Sequence, residues 1–382
     1  MRLRTVVAVV VVMGCHGDSH IRRVPKSSRG ATVTLVDSVV LQDPDSMPLG
    51  AYTAFVAHSG RGDYFVNDMQ SRRVLHFRGN GAFAGVVGKP GSGPGEFQLP
   101  GPLHLVAHDS LLAVVDVNRH AMEVFDASTG GFDRMVALPA QDIGQDWQVE
   151  GDTVYFALHM TEGIAGRWVW THDSVHAIGR MPTRFRGASG VLMGYGVSEL
   201  APHDAGFAML LPGEIGLDFV DSAGAWLGSV PIPAARRRGQ PDDLVARQQK
   251  LRPTDANQVL ASASAGLNRQ ADGNYLIAYV DMEMLGTAGH GGRYGAFRTY
   301  LALLAPDGNH ACVDAELPVE TDVTPIPFFR GDTVSVLARQ VNSQNRVRSV
   351  VYSYVVSPTG CDWVPTGGFI RGDGNGVREA AR

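Results

Sequence analysis

The sequence lacks the motifs of the common enzyme classes. Only three of its 382 residues are cysteine, and charged residues make up 19%. It contains no Gly-x-Ser-x-Gly, no His-Glu-x-x-His, no Cys-x-x-Cys and no glycine-rich phosphate loop. A serine hydrolase, a zinc protease and a nucleotide-binding enzyme therefore have no sequence support. The net charge of -5 gives no broad electrostatic attraction to nucleic acid, so we expect no nucleic-acid partner.

The sequence does contain six copies of a tight turn followed at once by a short apolar strand. The turns contain Asp63, Asp109, Asp152, Asp204, Asp272 and Asp332. Successive aspartates are 46, 43, 52, 68 and 60 residues apart. A recurring unit of this length that is made of strands is typical of a β-propeller blade.

The first 15 residues have the pattern of an export signal. Arg2 and Arg4 precede a short apolar run at residues 5–12, which is too short to span a bilayer as a helix. The run ends at Val12-Met13-Gly14-Cys15, which resembles a bacterial lipobox and implies lipidation of Cys15. The alternative is an ordinary secretory signal that happens to contain a cysteine.

Residues 16–30 are polar and are expected to form a flexible tether to the membrane. His16 stands where an aspartate would favour retention at the inner membrane. We therefore expect an exported, membrane-anchored lipoprotein, in the outer membrane where the host has one or facing the periplasm; the sequence leaves open which membrane and leaflet hold the anchor.

We predict an all-β, six-bladed β-propeller with four-stranded antiparallel blades and one short helical insertion. The blades are expected at residues 50–88, 95–140, 145–182, 197–233, 263–318 and 320–364. Residues 31–41 should add one strand to blade six and close the ring, which removes exposed sheet edges. Residues 367–382 are expected to be disordered.

Two blades carry a more specific pattern between residues 60 and 138. Residues 93–100 read Gly-Pro-Gly-Glu-Phe-Gln-Leu-Pro, and Asp116 and residues 124–126 (Val-Phe-Asp) follow. This resembles the NHL-repeat family, although Ala121 stands where that family has a basic residue. The resemblance implies that Asp68, Glu96 and Asp116 brace turns and strands rather than catalyse a reaction.

The segment 234–260 interrupts the repeat between blades four and five. Pro241 and two aspartates suit the start of a helix. The basic residues of the segment form a candidate binding surface for anionic lipid or an acidic partner: Arg236, Arg237, Arg238, Arg247, Lys250 and Arg252. The alternative is a solvated helix that covers blade edges.

Cys312 and Cys361 follow similar turns in successive blades. An exported protein meets an oxidising environment, where the two cysteines can form a disulfide. Comparable positions on adjacent blades can also be too far apart to bond, so the sequence leaves both alternatives open.

Four histidines near strand ends are the metal-ligand candidates: His58, His108, His159 and His203. Calcium or zinc held by residues from several blades would support a lactonase- or lyase-type enzyme with its site in the central channel. Because no catalytic group stands out from the blade pattern, we favour a non-catalytic role. We expect a monomeric, envelope-anchored scaffold without a cofactor that binds a protein, a glycan or a small molecule.

Overall fold

The computed structural model describes eleven ranges of the chain, and the account below is confined to them. They are residues 29–50, 55–139, 147–158, 164–179, 199–204, 206–211, 216–236, 262–285, 293–319, 326–341 and 347–371. All regular secondary structure in these ranges consists of β-strands. A helix was predicted within residues 234–260, but residues 237–260 lie outside the described ranges.

The first strand along the chain, β1 (Thr32–Leu41), belongs to the last blade. Blade one consists of β2 (Val56–His58), β3 (Tyr64–Asp68), β4 (Arg73–Phe77) and β5 (Phe83–Val87). A parallel pair joins it to the next blade and consists of β6 (Lys89–Pro90) and β7 (Glu96–Phe97). Blade two consists of β8 (Pro100–Val106), β9 (Leu111–Asp116), β10 (Ala121–Asp126) and β11 (Phe132–Ala137).

The next two blades follow the same antiparallel order. Blade three consists of β12 (Gln148–Glu150), β13 (Thr153–Ala157), β14 (Ala165–Val169) and β15 (Val175–Ile178). Blade four consists of β16 (Glu199–His203), β17 (Gly206–Leu210), β18 (Gly216–Asp221) and β19 (Trp226–Pro231).

The last two blades complete the ring. Blade five consists of β20 (Ser262–Arg269), β21 (Tyr275–Leu285), β22 (Arg293–Leu304) and β23 (His310–Glu316). Blade six consists of β24 (Pro327–Arg330), β25 (Thr333–Val341), β26 (Val347–Ser357) and β1. Two further strands, β27 (Val364–Pro365) and β28 (Ile370–Arg371), follow near the C-terminus.

The first strand of each blade lies at the centre of the ring. These strands contact the first strands of neighbouring blades, as β2 does with β8 and β24, and β16 with β12 and β20. The chain then steps outward through each sheet. In blade six the outermost place is filled by β1, which pairs antiparallel with β26 from Thr32↔Ser357 to Leu41↔Ser349. The two ends of the propeller therefore close the ring in one sheet.

The core consists of apolar layers between adjacent blades. In the described part of the chain, six clusters of buried side chains each join two neighbouring sheets, and together they run round the whole ring. Strand β9 illustrates how one sheet contributes to two layers. Leu112 and Val114 pack towards blade one, whereas Ala113 and Val115 pack towards blade three. Successive side chains of a strand point to opposite faces, so a sheet that is buried on both faces needs a continuous apolar run.

His104 is part of the layer between blades two and three. Its ring stacks on Trp147 with centroids 5.7 Å apart, and its Nδ1 lies 2.9 Å from the carbonyl oxygen of Leu105. Burial lowers the pKa of His104 below its ordinary value, because desolvation disfavours the charged imidazolium. The folded protein therefore holds this side chain neutral at pH 7.

The six repeated turns all connect the first and second strands of a blade, for example at His58↔Tyr64 and Arg269↔Tyr275. The turn of blade one needs Gly62, whose φ of 95° lies in the left-handed region that favours glycine. Since the first strands all run in the same direction, the turns lie on one face of the ring.

Residues 358–371, which we call the C-terminal strap, differ from the expectation. Disorder was expected for residues 367–382; residues 367–371 instead continue the strap, which crosses the outside of blades five and four, and residues 372–382 lie outside the described ranges. There β27 pairs with β23, and β28 pairs with β19, so that both sheets gain a fifth strand. Gly228 permits this approach, because a Cβ there would collide with the carbonyl oxygen of Ile370. Unpaired edge groups of β19 and β23 supply the bonds that order the strap.

A disulfide joins the strap to blade five. It links Cys361 to the fully buried Cys312, with Cα atoms 6.1 Å apart, and it encloses a loop of 49 residues. The disulfide therefore attaches the start of the strap to β23, the same strand with which β27 pairs.

We predict that the double variant Cys312→Ala/Cys361→Ala unfolds more easily than the wild type. A cross-link that closes a loop of this size restricts the unfolded chain and stabilises a protein by about 2–4 kcal/mol. In urea unfolding, the free energy of unfolding of the double variant should be lower than that of the wild type by this amount. Dithiothreitol should lower the stability of the wild type and leave the variant unaffected. Equal free energies of unfolding for the two proteins would contradict the prediction.

We also predict that the protein loses stability as the pH falls below about 6.5, the ordinary pKa of histidine. Because the pKa of His104 is lower in the folded state, the unfolded state takes up the proton first. The contribution of neutral His104 to the free energy of unfolding is fully present above pH 6.5, and it declines as the pH falls towards the pKa of His104 in the folded state. His104→Phe, which keeps an aromatic ring against Trp147, should show a shallower decline between pH 7.5 and 5.5 in urea unfolding. An unchanged pH dependence would refute this role.

Candidate functional site

One mouth of the central channel carries a ring of polar side chains. The last residues of the six first strands are His58, Val106, Glu150, His203, Arg269 and Arg330. Five of the six are titratable or cationic. Because the strands occupy equivalent places in the six blades, these residues lie round the same opening. We call the five polar residues the mouth ring.

The turns next to the mouth ring join neighbouring blades. Arg330 donates a hydrogen bond of 3.0 Å from Nη2 to the carbonyl oxygen of Gly60 in blade one. The backbone N–H of Gly60 in turn donates to the carboxylate of Asp109 in blade two. Between blades five and six, the N–H of Ala271 donates to Asp332 at 2.9 Å. The repeated aspartates therefore connect one blade to the next.

Arg269 is held in the same way. Its Nη1 lies 2.8 Å from a carboxylate oxygen of Asp204 in blade four, and its guanidinium carbon lies 5.8 Å from the centre of the Tyr275 ring. Its side chain is 26% exposed. Fixed by two partners yet still open to solvent, Arg269 presents a positioned cation to the mouth.

His203 shares a hydrogen bond with the hydroxyl of Tyr275 from the next blade. The Nδ1 atom and the hydroxyl oxygen are 2.7 Å apart. Burial, followed by the charge of Arg269, lowers the pKa of His203, while Asp204 opposes the shift. Burial raises the pKa of Tyr275 to about 12. Both groups are therefore neutral at pH 7, and their hydrogen bond joins blade four to blade five without charge.

His58 is neutral for the same reason. It stacks on Tyr64 with ring centroids 4.4 Å apart, and it meets the edge of Phe328 in blade six. Burial lowers its pKa, and the nearby positive charge of Arg330 lowers it further. The histidines of the mouth ring thus act as hydrogen-bonding groups between charged neighbours.

Of the four histidines proposed as metal ligands, the three that the structure describes lie on three different blades. His58 and His108 belong to blades one and two, and His203 to blade four, where its neighbours come from blade five. His108 lies in a turn with a φ of 55°. His159 lies outside the described residues. Within the ranges that the structure covers, no three His, Cys, Asp or Glu side chains are grouped closely enough to hold a metal ion.

The carboxylates of the NHL-like pattern accept hydrogen bonds from turns. Asp116 accepts the backbone N–H groups of Gln98 and Leu99, at 2.7 and 3.1 Å. Asp68 pairs with Arg73 at 3.2 Å and accepts the N–H of Ser71 at 3.0 Å. Glu96 accepts the N–H of Gly93 at 2.8 Å. Their oxygens are engaged in holding the connections between strands.

The basic insertion is described only at its first residue, Arg236, whose guanidinium carbon lies 5.5 Å from the centre of the Tyr300 ring. Asp314 accepts the N–H groups of Ala235 and Arg236 and the hydroxyl of Tyr279. The start of the insertion, which follows blade four in the chain, is thus held against the outer strands of blade five. The other proposed binding residues lie outside the described ranges: Arg237, Arg238, Arg247, Lys250 and Arg252.

The lipidation candidate, Cys15, also lies outside the described residues. In the part of the chain that can be described, no helix has the length and apolar character needed to cross a membrane.

The mouth ring could not be read from any single motif. Its signal is positional: each member immediately precedes one of the six repeated turns. Because the turns differ in length, these residues stand at different distances before the repeated aspartates, and an alignment of the turns needs gaps to bring them together. His58 and His203 were proposed only as metal ligands, and the other three were not proposed at all.

Comparison with known proteins agrees with the architecture. Residues 26–166 match the profile of the DUF5128 family, described as a 6-bladed beta-propeller. This match spans less than half of the chain. None of the curated proteins matches the sequence.

Solved structures resemble the chain over most of its length. A member of the duf4221 family from Bacteroides vulgatus has a TM-score of 0.58 at 8% identity, covering 86% of this chain and 99% of its own. A protein of Bacteroides fragilis named as exported has a TM-score of 0.55 at 11% identity, covering 88% and 98%. The WD40 repeats of RRP9 reach 0.50 at 9% identity, covering 85% and 100%. At such identities the likeness is one of fold, and the chain is an all-β, six-bladed β-propeller.

Proposed function

We propose that this protein is an envelope-anchored binding scaffold that recognises its partner at the mouth ring. The partner is an envelope protein, a glycan or a small molecule with polar groups. The observation that carries the proposal is that five of six equivalent strand ends place a charged or hydrogen-bonding side chain round one opening. Such convergence of polar groups on a rigid frame is how binding sites obtain specificity.

The charges of the mouth ring are separated across the opening. Arg269 and Arg330 lie on the adjacent blades five and six, whereas Glu150 lies on blade three. In a ring of six, blades three and six face each other. The neutral His58 and His203 lie between these charges. The arrangement suits a partner that brings an acidic group to one side of the opening and a basic or hydroxyl group to the other.

The rival proposal is a lactonase- or lyase-type enzyme with calcium or zinc in the channel. It requires ligands from several blades, and the mouth-ring histidines are engaged otherwise: His203 with Tyr275, and His58 with Tyr64. This occupation of the two histidines favours the scaffold, because neither ring is free to turn towards a shared ion.

We predict that Arg330→Ala weakens partner binding by tenfold or more, a loss of about 1.4 kcal/mol, because it removes the cation of blade six. A photoreactive residue at the exposed Glu150 of the full-length protein should cross-link the partner in native envelopes. The same residue at Asp133, on the rim of blade two, should not. Arg330→Lys should retain part of the cross-linking. Equal cross-linking at both positions, or an Arg330→Ala protein that folds and cross-links normally, would overturn the proposal.

We also predict that the full-length protein, purified without added metal, contains calcium and zinc well below one equivalent. Elemental analysis by mass spectrometry measures this directly. A stoichiometric metal that is lost in a His58→Ala/His203→Ala variant would instead support the channel enzyme, and lactone and ester substrates would then be tested.

A further inference from the structure

The C-terminal strap is fixed in position although it lies outside the blades. Its two short strands extend blades five and four, and the disulfide at Cys361 attaches its beginning. In its middle, the hydroxyl of Thr366 donates a hydrogen bond of 2.6 Å to the carbonyl oxygen of Gly308. The strap therefore forms a defined part of the rim, the outer surface of the ring.

The described chain begins at the same place on the rim. The N–H of Arg29 donates to the carboxylate of Asp362 at 2.8 Å, and the N–H of Asp362 donates to the carbonyl oxygen of Arg29 at 2.9 Å. The hydroxyl of Thr32 reaches the carbonyl oxygen of Thr359 at 2.9 Å. These bonds fix the point at which the segment leading to Cys15 joins the propeller, and that point is adjacent to Trp363.

The strap exposes large apolar side chains along its length, from the junction to blade four. Trp363 is 36% exposed, and Phe369 and Ile370 are each 43% exposed. Among the residues that the structure describes, three aromatic side chains (Phe, Tyr or Trp) are exposed, and two of them, Trp363 and Phe369, are on the strap. Arg29 and Arg371 are exposed at the two ends of this surface. Aromatic rings and arginines are the side chains that bind the interface between lipid headgroups and acyl chains.

The sequence keeps this surface close to its anchor. Only residues 16–28 separate Cys15 from Arg29, a length of about 50 Å even when fully extended. A linker of this kind gives the attached surface an effective concentration in the millimolar range, so weak contacts suffice. The segment also contains Arg22, Arg23 and Lys26, whose charges favour anionic lipid.

We propose that the C-terminal strap docks on the bilayer that holds the lipid anchor, through Trp363, Phe369 and Ile370, with anionic headgroups near Arg29 and Arg371. The inference rests on the anchored state in the proposed function. Because the strap lies on the rim, the channel axis runs along the membrane plane. Both flat faces of the propeller, including the mouth ring, then remain open to partners in the periplasm.

Fluorescence quenching by labelled lipid tests this arrangement. The lipidated full-length protein is placed in vesicles of phosphatidylethanolamine and phosphatidylglycerol, with a polarity-sensitive dye on a single introduced cysteine. Phe369→Cys reports on the strap. Phe132→Cys is the matched control, because Phe132 is 39% exposed on β11 of blade two, which lies across the ring from blade five and two blades from blade four, where Phe369 lies. Cys15 is acylated and Cys312 and Cys361 are bridged, so the introduced thiol alone is labelled.

We expect nitroxide-labelled lipid to quench the dye at position 369 several-fold more than the dye at position 132. The additional change Trp363→Ser, at an exposed position, should reduce this difference. Equal quenching at the two positions, stronger quenching at position 132 or no quenching at either would overturn the proposal. Mass spectrometry that finds no acyl chain on Cys15 would overturn it as well. Cross-linking at Glu150 is scored separately, so a failure of docking is distinguished from a failure of the mouth-ring proposal.

Discussion

The burial of both faces of every blade is the constraint on which the rest of the structure depends. Each sheet sends alternate side chains into two apolar layers, as Leu112 and Ala113 do from β9. A sheet at the end of an open row would expose one of these layers to water. The pairing of β1 with β26 prevents this, because it completes blade six and allows the cluster of Leu41, Val66 and Leu337 to form between blades six and one.

The closed ring leaves its polar positions free to vary. Side chains within the sheets must fit between two neighbours, whereas those at the ends of the first strands face an opening. There the repeated turns still carry a structural role, since Asp109 and Asp332 bond to the preceding blade. The residues just before the turns vary in type from blade to blade: Glu150, His203 and Arg269 occupy this place in three successive blades, and the last two also bond to a neighbouring blade. A binding site can therefore change at these positions while the frame remains intact.

The sequence was sufficient for the fold because its signals are local and repeated. Turns such as Asp272-Gly273-Asn274 stand directly before apolar strands, and that pattern alone indicates blades. The strap could not be predicted in the same way. Its strands are two residues long, they flank Gly367 and Gly368, and they form only because the edges of β19 and β23 are available. The pairing of His203 with Tyr275 likewise depends on the register between two blades, which no local pattern contains.

The position of β1 has a consequence for the order in which the chain acquires its structure. Thr32 pairs with Ser357, so the earliest strand has no partner until nearly the whole polypeptide has been synthesised. The same holds for Cys312, whose partner lies 49 residues further on. Contacts between such distant positions slow folding, because a long loop must close before they form. The ring can therefore close only late, once Ser357 is available, and the disulfide that secures the strap needs Cys361, which follows it in the chain.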